Sequence, residues 1–283
     1  MLPISDSAQN SLNNVIKSTN HACKKTLKVY SASEHALHFD ANEYLQAFYY
    51  NPREDAAMRT VLFFLPGIIY WIPEKIRTVL DLGAGPTVHV PITFRKHAEH
   101  IYSADYAQVN CDVLKNWAKN KSTFEWNQVC ELIACVEDSD DSPADMQDCA
   151  RNKFRAIFRI DLLQESCIKY IHYNHSEGHN IPQQFHVVVS LFCFEYSSEN
   201  VEDYSRAVRN AVKLIEPNGF LIQGGVLREN DYYFGDQKYR CHYLTKEQII
   251  ESLKENNMTT EKGQNYKWFE VDDVFLLITK KKD

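Results

Sequence analysis

The sequence lacks the features that would place the chain in a membrane, in an oxidising compartment or around a metal. Its most hydrophobic segment, 61–72, is interrupted by Pro66 and Gly67 and is shorter than the roughly 20 residues that a membrane-spanning helix needs. The eight cysteines include no Cys-x-x-Cys pair, which is typical of reduced thiols rather than of disulfides or zinc ligands. The first residues show no charged leader followed by an apolar stretch. We therefore expect a cytoplasmic protein without a metal or membrane contact.

Long basic clusters and internal repeats are also missing. The chain has a net charge of −7, and its basic run at 280–282 is short. A nucleic-acid partner is therefore disfavoured, because binding to phosphates depends on clustered Lys and Arg. The length of 283 residues and the hydrophobic content of 44% suffice for one large α/β domain. We expect a monomer that acts on a small molecule.

The most informative motif lies at residues 78–87. An apolar stretch there predicts a buried strand that contains Asp81, and Gly83 and Gly85 follow it. The glycines allow a tight turn with space for a ligand against the main chain. A dinucleotide-binding fingerprint needs a third glycine where Val88 stands. The motif Asp-x-Gly-x-Gly is better suited to S-adenosylmethionine, whose amino-acid end carries ammonium and sulfonium charges. A purely structural turn is the alternative.

Acidic residues end the next two predicted strands. Asp105 follows the strand at 100–104 and is placed to accept hydrogen bonds from both ribose hydroxyls, with Asn110 one turn into the following helix. An NAD site uses the same carboxylate, and the cap of the helix at 107–118 is a further alternative role for Asp105. Asp161 ends the strand at 156–161 and can accept from the exocyclic amine of adenine.

The overall pattern predicts a doubly wound α/β sheet of seven mostly parallel strands. The predicted strands lie near 78–82, 100–104, 156–161, 185–190, 219–224, 258–264 and 270–279. Helices are predicted near 41–50, 53–72, 107–118, 201–215 and 245–256. Residues 1–33 are polar and predict a flexible extension, and 34–283 form one domain with a helical lid at 38–74. The acidic segment 137–143 is interpreted as a solvated connection.

Several of these motifs together resemble the nicotinamide, phenylethanolamine and indolethylamine N-methyltransferase family over about residues 38–280. They are Asp81–Thr87, Ala104–Asn110 and the strand from Gly219 that leads to Tyr232, Gly235, Gln237 and Lys238. The segment from His38 to Tyr49 resembles the part of these enzymes that folds over the cofactor. The resemblance implies the class I S-adenosylmethionine-dependent methyltransferase fold.

The resemblance also implies roles for individual residues. Tyr44 and Tyr49 would contact the methionine carboxylate and Gly83 the amine, while Asp161 with Leu162 would hold adenine. The complete set of cofactor contacts that it implies is Tyr44, Tyr49, Gly83, Ala84, Gly85, Thr87, His89, Asp105, Tyr106, Asn110, Asp161, Leu162 and Leu191.

Departures from the family pattern affect the acceptor most. His89 replaces a cofactor-facing Tyr, and Leu191 replaces a small or hydroxylated residue. Gly225 stands where the nicotinamide enzyme carries an Asp for the carboxamide, which favours an aralkylamine over nicotinamide. Candidates for ammonium binding or proton relay are Glu195 and Glu229, and candidates for acceptor contact are Tyr232, Asp272 and Asp273.

The function predicted from the sequence is transfer of a methyl group from S-adenosylmethionine to the nitrogen of a small amine or N-heteroaromatic compound. Two other functions stay open. A non-catalytic relative could keep the fold without turnover, and an NAD-dependent oxidoreductase would share the first strand-turn and Asp105.

Overall fold

The computed structural model describes residues 28–175, 180–263 and 265–283, which fold into eleven strands and nine helices. The strands are β1 (Val29–Tyr30), β2 (Ile76–Leu82), β3 (Ala98–Asp105), β4 (Phe154–Ile160), β5 (Ile168–Asn174), β6 (Phe185–Leu191), β7 (Ile215–Val226), β8 (Asp231–Phe234), β9 (Gln237–Arg240), β10 (Tyr266–Val271) and β11 (Val274–Lys280). The helices are α1 (His35–His38), α2 (Ala41–Phe48), α3 (Ala56–Ile69), α4 (His89–Phe94), α5 (Gln108–Ala118), α6 (Asn127–Glu137), α7 (Pro143–Lys153), α8 (Val201–Lys213) and α9 (Lys246–Glu255).

The main sheet has eight strands rather than the predicted seven, in the order β10-β11-β7-β6-β2-β3-β4-β5. Its centre is parallel, because β2 pairs in parallel with β3 and β6, β3 with β4, and β6 with β7. The unpredicted strand is β5, an antiparallel edge strand with much of its surface exposed. Its side chains therefore show neither the alternation nor the apolar run that marks a buried strand.

Two element boundaries also differ from the prediction. The strand expected at 258–264 is formed instead by β10, Tyr266–Val271. Helix α8 ends at Lys213 instead of residue 215. The segment Pro217–Gly219 does not end the helix but lies within β7, which begins at Ile215. Every residue of β6 is buried, as expected for a strand covered on both faces. Helices on the two faces complete two large apolar clusters, and no helix in the described part of the chain is long and apolar enough to cross a membrane.

The N-terminal part of the described chain packs over one edge of the molecule. There β1 pairs in parallel with β9 and joins β8 in a second, three-stranded sheet. Aromatic rings hold this sheet against the lid, since Phe39 contacts Phe234 with ring centroids 5.3 Å apart. The extension predicted for 1–33 therefore needs correction at 28–33, which contain β1; residues 1–27 lie outside the described ranges.

The acidic segment at 137–143 is not merely a solvated connection. Arg95 is fully buried and donates hydrogen bonds to Glu137 at 2.6 Å and to Asp141 at 3.1 Å. These carboxylates hold the pKa of the guanidinium above its usual range, and the pKa of Asp141 falls to about 2 because Lys96 and Arg95 bind it. The contacts connect the end of α4 to the α6–α7 junction.

Arg95→Ala should lower the free energy of unfolding by about 3–5 kcal/mol, because it leaves a mostly buried carboxylate at Glu137 without its partner. Urea unfolding of the ligand-free protein measures this loss. Arg228→Ala is the matched control, since Arg228 also pairs with two carboxylates, Glu270 and Asp273, but is exposed. Similar losses for both variants would contradict the role assigned to burial.

Candidate active site

A cavity of about 1050 Å³ opens at the carboxyl ends of the parallel strands. It lies where β2 has β3 on one side and β6 on the other. The connections from these strands leave in opposite directions, so their loops separate and form a crevice, which is the usual ligand site of an open α/β sheet. The lid helices and the second sheet cover the opposite side of the cavity, to which Tyr44, Phe48 and Phe234 contribute.

The turn after β2 brings main-chain atoms to the cavity. Gly83 has φ of +74° and Gly85 of +60°, a region that glycine adopts without strain. A Cβ atom at Gly83 would lie 2.1 Å from the Sγ atom of Cys193, so no other residue fits there. The amides of Gly83 and Ala84 both donate to the Ala104 carbonyl at the end of β3, at 2.8 and 3.0 Å. The predicted cradle is therefore held rigidly against the neighbouring strand.

Asp105 is fixed at the centre of the cavity floor. Its carboxylate accepts from the amides of Gly85 and Ala107, both at 2.8 Å, and from Asn110 Nδ2 at 3.0 Å. The bond to the Ala107 amide is not the helix cap considered as an alternative role, because Ala107 itself holds the cap position of α5 and no described side chain caps that helix. Burial raises the pKa of Asp105 and also that of Asp81, whose Oδ2 atom is buried without a hydrogen-bond partner in the described structure. Both residues line the cavity.

The residues predicted to hold adenine, Asp161 and Leu162, line the cavity after the end of β4. Tyr106, another predicted cofactor contact, lines it directly after β3. Asp161 is held by its own turn, since its Oδ1 atom accepts from the Leu163 amide at 3.1 Å. The order of strands therefore places β2, the predicted ribose ligand Asp105 and the predicted adenine pocket in one row.

Tyr44 and Tyr49 lie at the other end of this row. Both line the cavity, their ring centroids lie 6.0 Å apart, and burial raises the pKa of both phenols. Tyr49 packs against His89, with ring centroids 5.4 Å apart. The Thr87 hydroxyl donates to the Ala84 carbonyl at 2.7 Å. Leu191 also lies in the lining, so the cavity contains every predicted cofactor residue.

Aromatic side chains surround the remaining end of the cavity. Tyr232 and Tyr196 lie with ring centroids 4.3 Å apart, and the Tyr232 hydroxyl is 2.7 Å from Nε2 of His35. The sequence analysis identified Tyr232 but missed His35 and Tyr196. No motif marks His35, because β1 and α1 bring it to the cavity only through pairing with a distant part of the chain. This aromatic end can hold a flat ring beside the cofactor row.

A family model described as the NNMT/PNMT/TEMT family matches residues 27–282. The chain belongs to this family. It is 47% identical over 251 residues to nicotinamide N-methyltransferase of Caenorhabditis elegans, which covers 89% of this chain and 92% of the relative. It is 26% identical over 178 residues to phenylethanolamine N-methyltransferase of Homo sapiens, which covers 62% of this chain and 61% of the relative. The resemblance inferred from the motifs is confirmed.

A likeness to solved structures agrees on the fold. A magnesium protoporphyrin IX methyltransferase from Synechocystis PCC 6803, solved with bound S-adenosylmethionine, superposes with a TM-score of 0.54 at 9% identity and covers 89% of this chain and 95% of its own. The predicted class I methyltransferase fold is confirmed, and the chain is an S-adenosylmethionine-dependent methyltransferase by family.

Glu195 does not line the cavity, contrary to the prediction. It is 1% exposed and is absent from the lining, because its Oε1 atom accepts from the Val226 amide at 3.1 Å behind the wall. Its carboxyl group occupies the space beside Gly225, where a Cβ atom would lie 2.1 Å from Oε1. Burial raises its pKa to about 7. Glu229, the other candidate, is exposed and lies at the rim.

Asp272 and Asp273 also lie away from the cavity. They form the turn between β10 and β11, with φ of 48° and 67°. Asp272 is exposed, and Asp273 pairs with Arg228. The predicted acceptor contacts of both residues are therefore wrong for this arrangement.

The charge of the lining is strongly one-sided. It contains no Lys or Arg among the described residues, and its carboxylates are Asp55, Asp81, Asp105, Asp161, Glu199, Asp203, Glu229 and Asp231. Such a cavity favours a cationic ligand and opposes a diphosphate, which argues against the NAD alternative. A sulfonium cofactor fits both this charge and the row of polar groups. Within the described ranges, no group of His, Cys, Asp and Glu side chains is arranged to hold a metal ion.

Asp105→Asn should weaken S-adenosylmethionine binding at least about tenfold, because charge-assisted hydrogen bonds to ribose are each worth about 1.5–3 kcal/mol. Calorimetric titration of the purified variant measures the dissociation constant. Asp112→Asn is the control, since Asp112 lies on α5 but binds His172 at the surface. Equal affinity of the Asp105 variant and the wild type for S-adenosylmethionine would contradict the ribose assignment.

Glu195 predicts a pH dependence of stability. Because its pKa rises from 4.5 to about 7 on folding, the folded state binds the proton more tightly, and the free energy of unfolding falls as pH rises through this window. Between pH 5 and pH 8 the wild type should lose about 2–3 kcal/mol more than Glu195→Gln does. Urea unfolding of both proteins at the two pH values tests this, and parallel pH profiles would show that Glu195 does not titrate there.

Proposed function

We propose that the chain transfers the methyl group of S-adenosylmethionine to a nitrogen of a small aromatic acceptor that is neutral or cationic. The main support for this proposal is the cavity itself, which joins the polar cofactor row to an aromatic end. Its described lining contains carboxylates but no Lys or Arg. Family membership supports N-methylation in particular. The rim residues Glu229 and Asp231 repel carboxylates and phosphates, so anionic acceptors are disfavoured.

The chemistry needs alignment more than it needs a nucleophilic side chain. Bound S-adenosylmethionine supplies a methyl group that is already activated by the sulfonium charge. The protein holds the acceptor nitrogen in line with that group, and positioning alone can supply much of the rate enhancement. The rings of Tyr196 and Tyr232 hold the acceptor and offer π-faces to positive charge. The lid residues around Phe39 and Tyr44 exclude water.

Gly225 alone does not decide against nicotinamide as the acceptor. A side chain at 225 would meet the carboxyl group of Glu195, which lies behind the cavity wall and does not replace the missing carboxylate. The support for nicotinamide is the 47% identity to the nematode nicotinamide enzyme. A pyridine such as nicotinamide is therefore our first acceptor candidate. An aralkylamine is the second, because Glu229 and Asp231 at the rim suit an ammonium group and its proton.

Turnover of a matched acceptor panel tests this proposal. Nicotinamide, phenylethylamine and tryptamine would be compared with nicotinate, which keeps the pyridine ring and adds a negative charge. We expect release of S-adenosylhomocysteine and an N-methylated product from at least one uncharged or amine acceptor, with kcat/KM for nicotinate at least about tenfold below that for nicotinamide.

The pH profile separates the two acceptor types. An alkylamine with a pKa of about 10 must lose a proton before transfer, so its kcat/KM should rise with pH, whereas the profile for a pyridine should be flatter. A protein that binds S-adenosylmethionine but turns over no member of a broad amine and pyridine panel would instead be a non-catalytic relative. Equal use of nicotinate and nicotinamide would contradict the electrostatic account.

A further inference from the structure

His35 joins the N-terminal part of the described chain to the aromatic end of the cavity. Its Nε2 atom lies 2.7 Å from the hydroxyl of Tyr232, a residue 197 positions later in the chain. Both residues line the cavity. Within the described structure this hydroxyl has no other hydrogen-bond partner, so the direction in which it is held depends on His35.

Contacts on both sides of His35 hold residues 29–38, which we call the strap. Before His35, β1 pairs with β9, and the amide of Ala32 donates to Glu199 Oε1 at 2.7 Å. After it, a side chain of β9 donates to the carbonyl of His38 at 2.6 Å. The strap therefore presents His35 to the cavity from a fixed position.

The imidazole of His35 also packs against two aromatic rings. Its ring centroid lies 4.6 Å from that of Phe39 and 4.9 Å from that of Tyr239. Burial lowers the pKa of His35 to about 4, so the side chain is uncharged at neutral pH. It can therefore bind a hydroxyl without adding a positive charge to a cavity that suits cationic ligands.

Tyr232 needs such support because it lies in β8, an edge strand of the three-stranded sheet. Its ring centroid lies 4.3 Å from that of Tyr196 and 5.4 Å from that of Tyr239. Ring contacts have little directional preference, whereas a hydrogen bond to the hydroxyl is directional. A ring held in both ways loses less conformational freedom when a ligand binds against it.

We propose that His35 is a positioning residue for the methyl acceptor, because its hydrogen bond to the Tyr232 hydroxyl keeps the Tyr232 ring beside Tyr196 as one wall of the acceptor site. This inference rests on the proposed function, in which these two rings hold the acceptor. His35 acts through Tyr232, and other residues form the cofactor row. Loss of the hydrogen bond should therefore weaken the acceptor and leave the cofactor unaffected.

Two substitutions at His35 separate hydrogen bonding from packing. His35→Phe keeps an aromatic ring but cannot bond to the hydroxyl, whereas His35→Gln loses the ring and keeps an amide that can. Tyr232→Phe removes the same hydrogen bond from the other side. His175→Phe is the matched control, because Nδ1 of His175 lies 3.0 Å from the Tyr173 hydroxyl at the exposed edge strand, and neither residue lines the cavity.

Steady-state kinetics of the full-length chain would use the best acceptor of the wild type among nicotinamide, phenylethylamine and tryptamine. His35→Phe should raise the KM for this acceptor about three- to tenfold, as expected for one hydrogen bond. Its kcat should change less than about twofold, because the loss is in binding rather than in transfer. His35→Gln should recover much of the KM, and His175→Phe should match the wild type.

Two further measurements show whether His35 acts through Tyr232. The double variant His35→Phe/Tyr232→Phe should have a KM no higher than that of Tyr232→Phe alone, because both changes break the same bond. Calorimetric titration of His35→Phe with S-adenosylhomocysteine should give a dissociation constant within about twofold of the wild-type value, because no cofactor contact is removed.

An unchanged KM in His35→Phe, or additive losses in the double variant, would overturn the inference. A larger loss in His35→Gln than in His35→Phe would assign the effect to packing of the ring and overturn it as well. So would a weaker affinity of His35→Phe for S-adenosylhomocysteine that matched the rise in KM. Failure of the proposed function looks different, since the wild type itself would then methylate none of the three acceptors, and the inference would fall with it.

Discussion

The site depends on the parallel pairing of β2 with β3 on one side and with β6 on the other. This pairing brings the ends of three buried strands to one edge, where the chain after each strand turns towards the same crevice. The amides of Gly83 and Ala84 then bond to the end of β3, and Asp105 bonds back to Gly85. A shift of one residue in the pairing of β2 with β3 would turn Asp105 away from the cavity.

Charge makes this crevice selective. A lining with many carboxylates and no Lys or Arg lowers the stability of the ligand-free protein. Burial accordingly raises the pKa of Asp81 and Asp105. A sulfonium and an ammonium group offset part of that cost when they bind. The single anionic group of the cofactor must then be bound without a Lys or Arg from the described lining. The acceptor would meet the same field, which is the basis of the proposed preference for neutral or cationic molecules.

The sequence revealed the parts of this arrangement that depend on local backbone chemistry. Gly83 and Gly85 have the positive φ that their motif implies, and Asp105 ends β3 while Asp161 directly follows β4. Contacts between segments that are distant in the sequence could not be predicted in this way. His35 reaches the cavity through the β1–β9 pairing, and the carboxyl group of Glu195 turns behind Gly225 instead of into the cavity. Asp272 carries a carboxylate that could bind an amine, but it lies in an exposed hairpin turn.

Thermal unfolding of the full chain with S-adenosylhomocysteine or NADH, each at saturating concentration, tests the central claim most directly. A ligand that binds only the folded state at about 100 times its dissociation constant adds roughly 2.7 kcal/mol of stability. The account predicts a clear rise in melting temperature with S-adenosylhomocysteine and none with NADH. A rise with NADH alone would contradict it and would identify the cavity as a dinucleotide site.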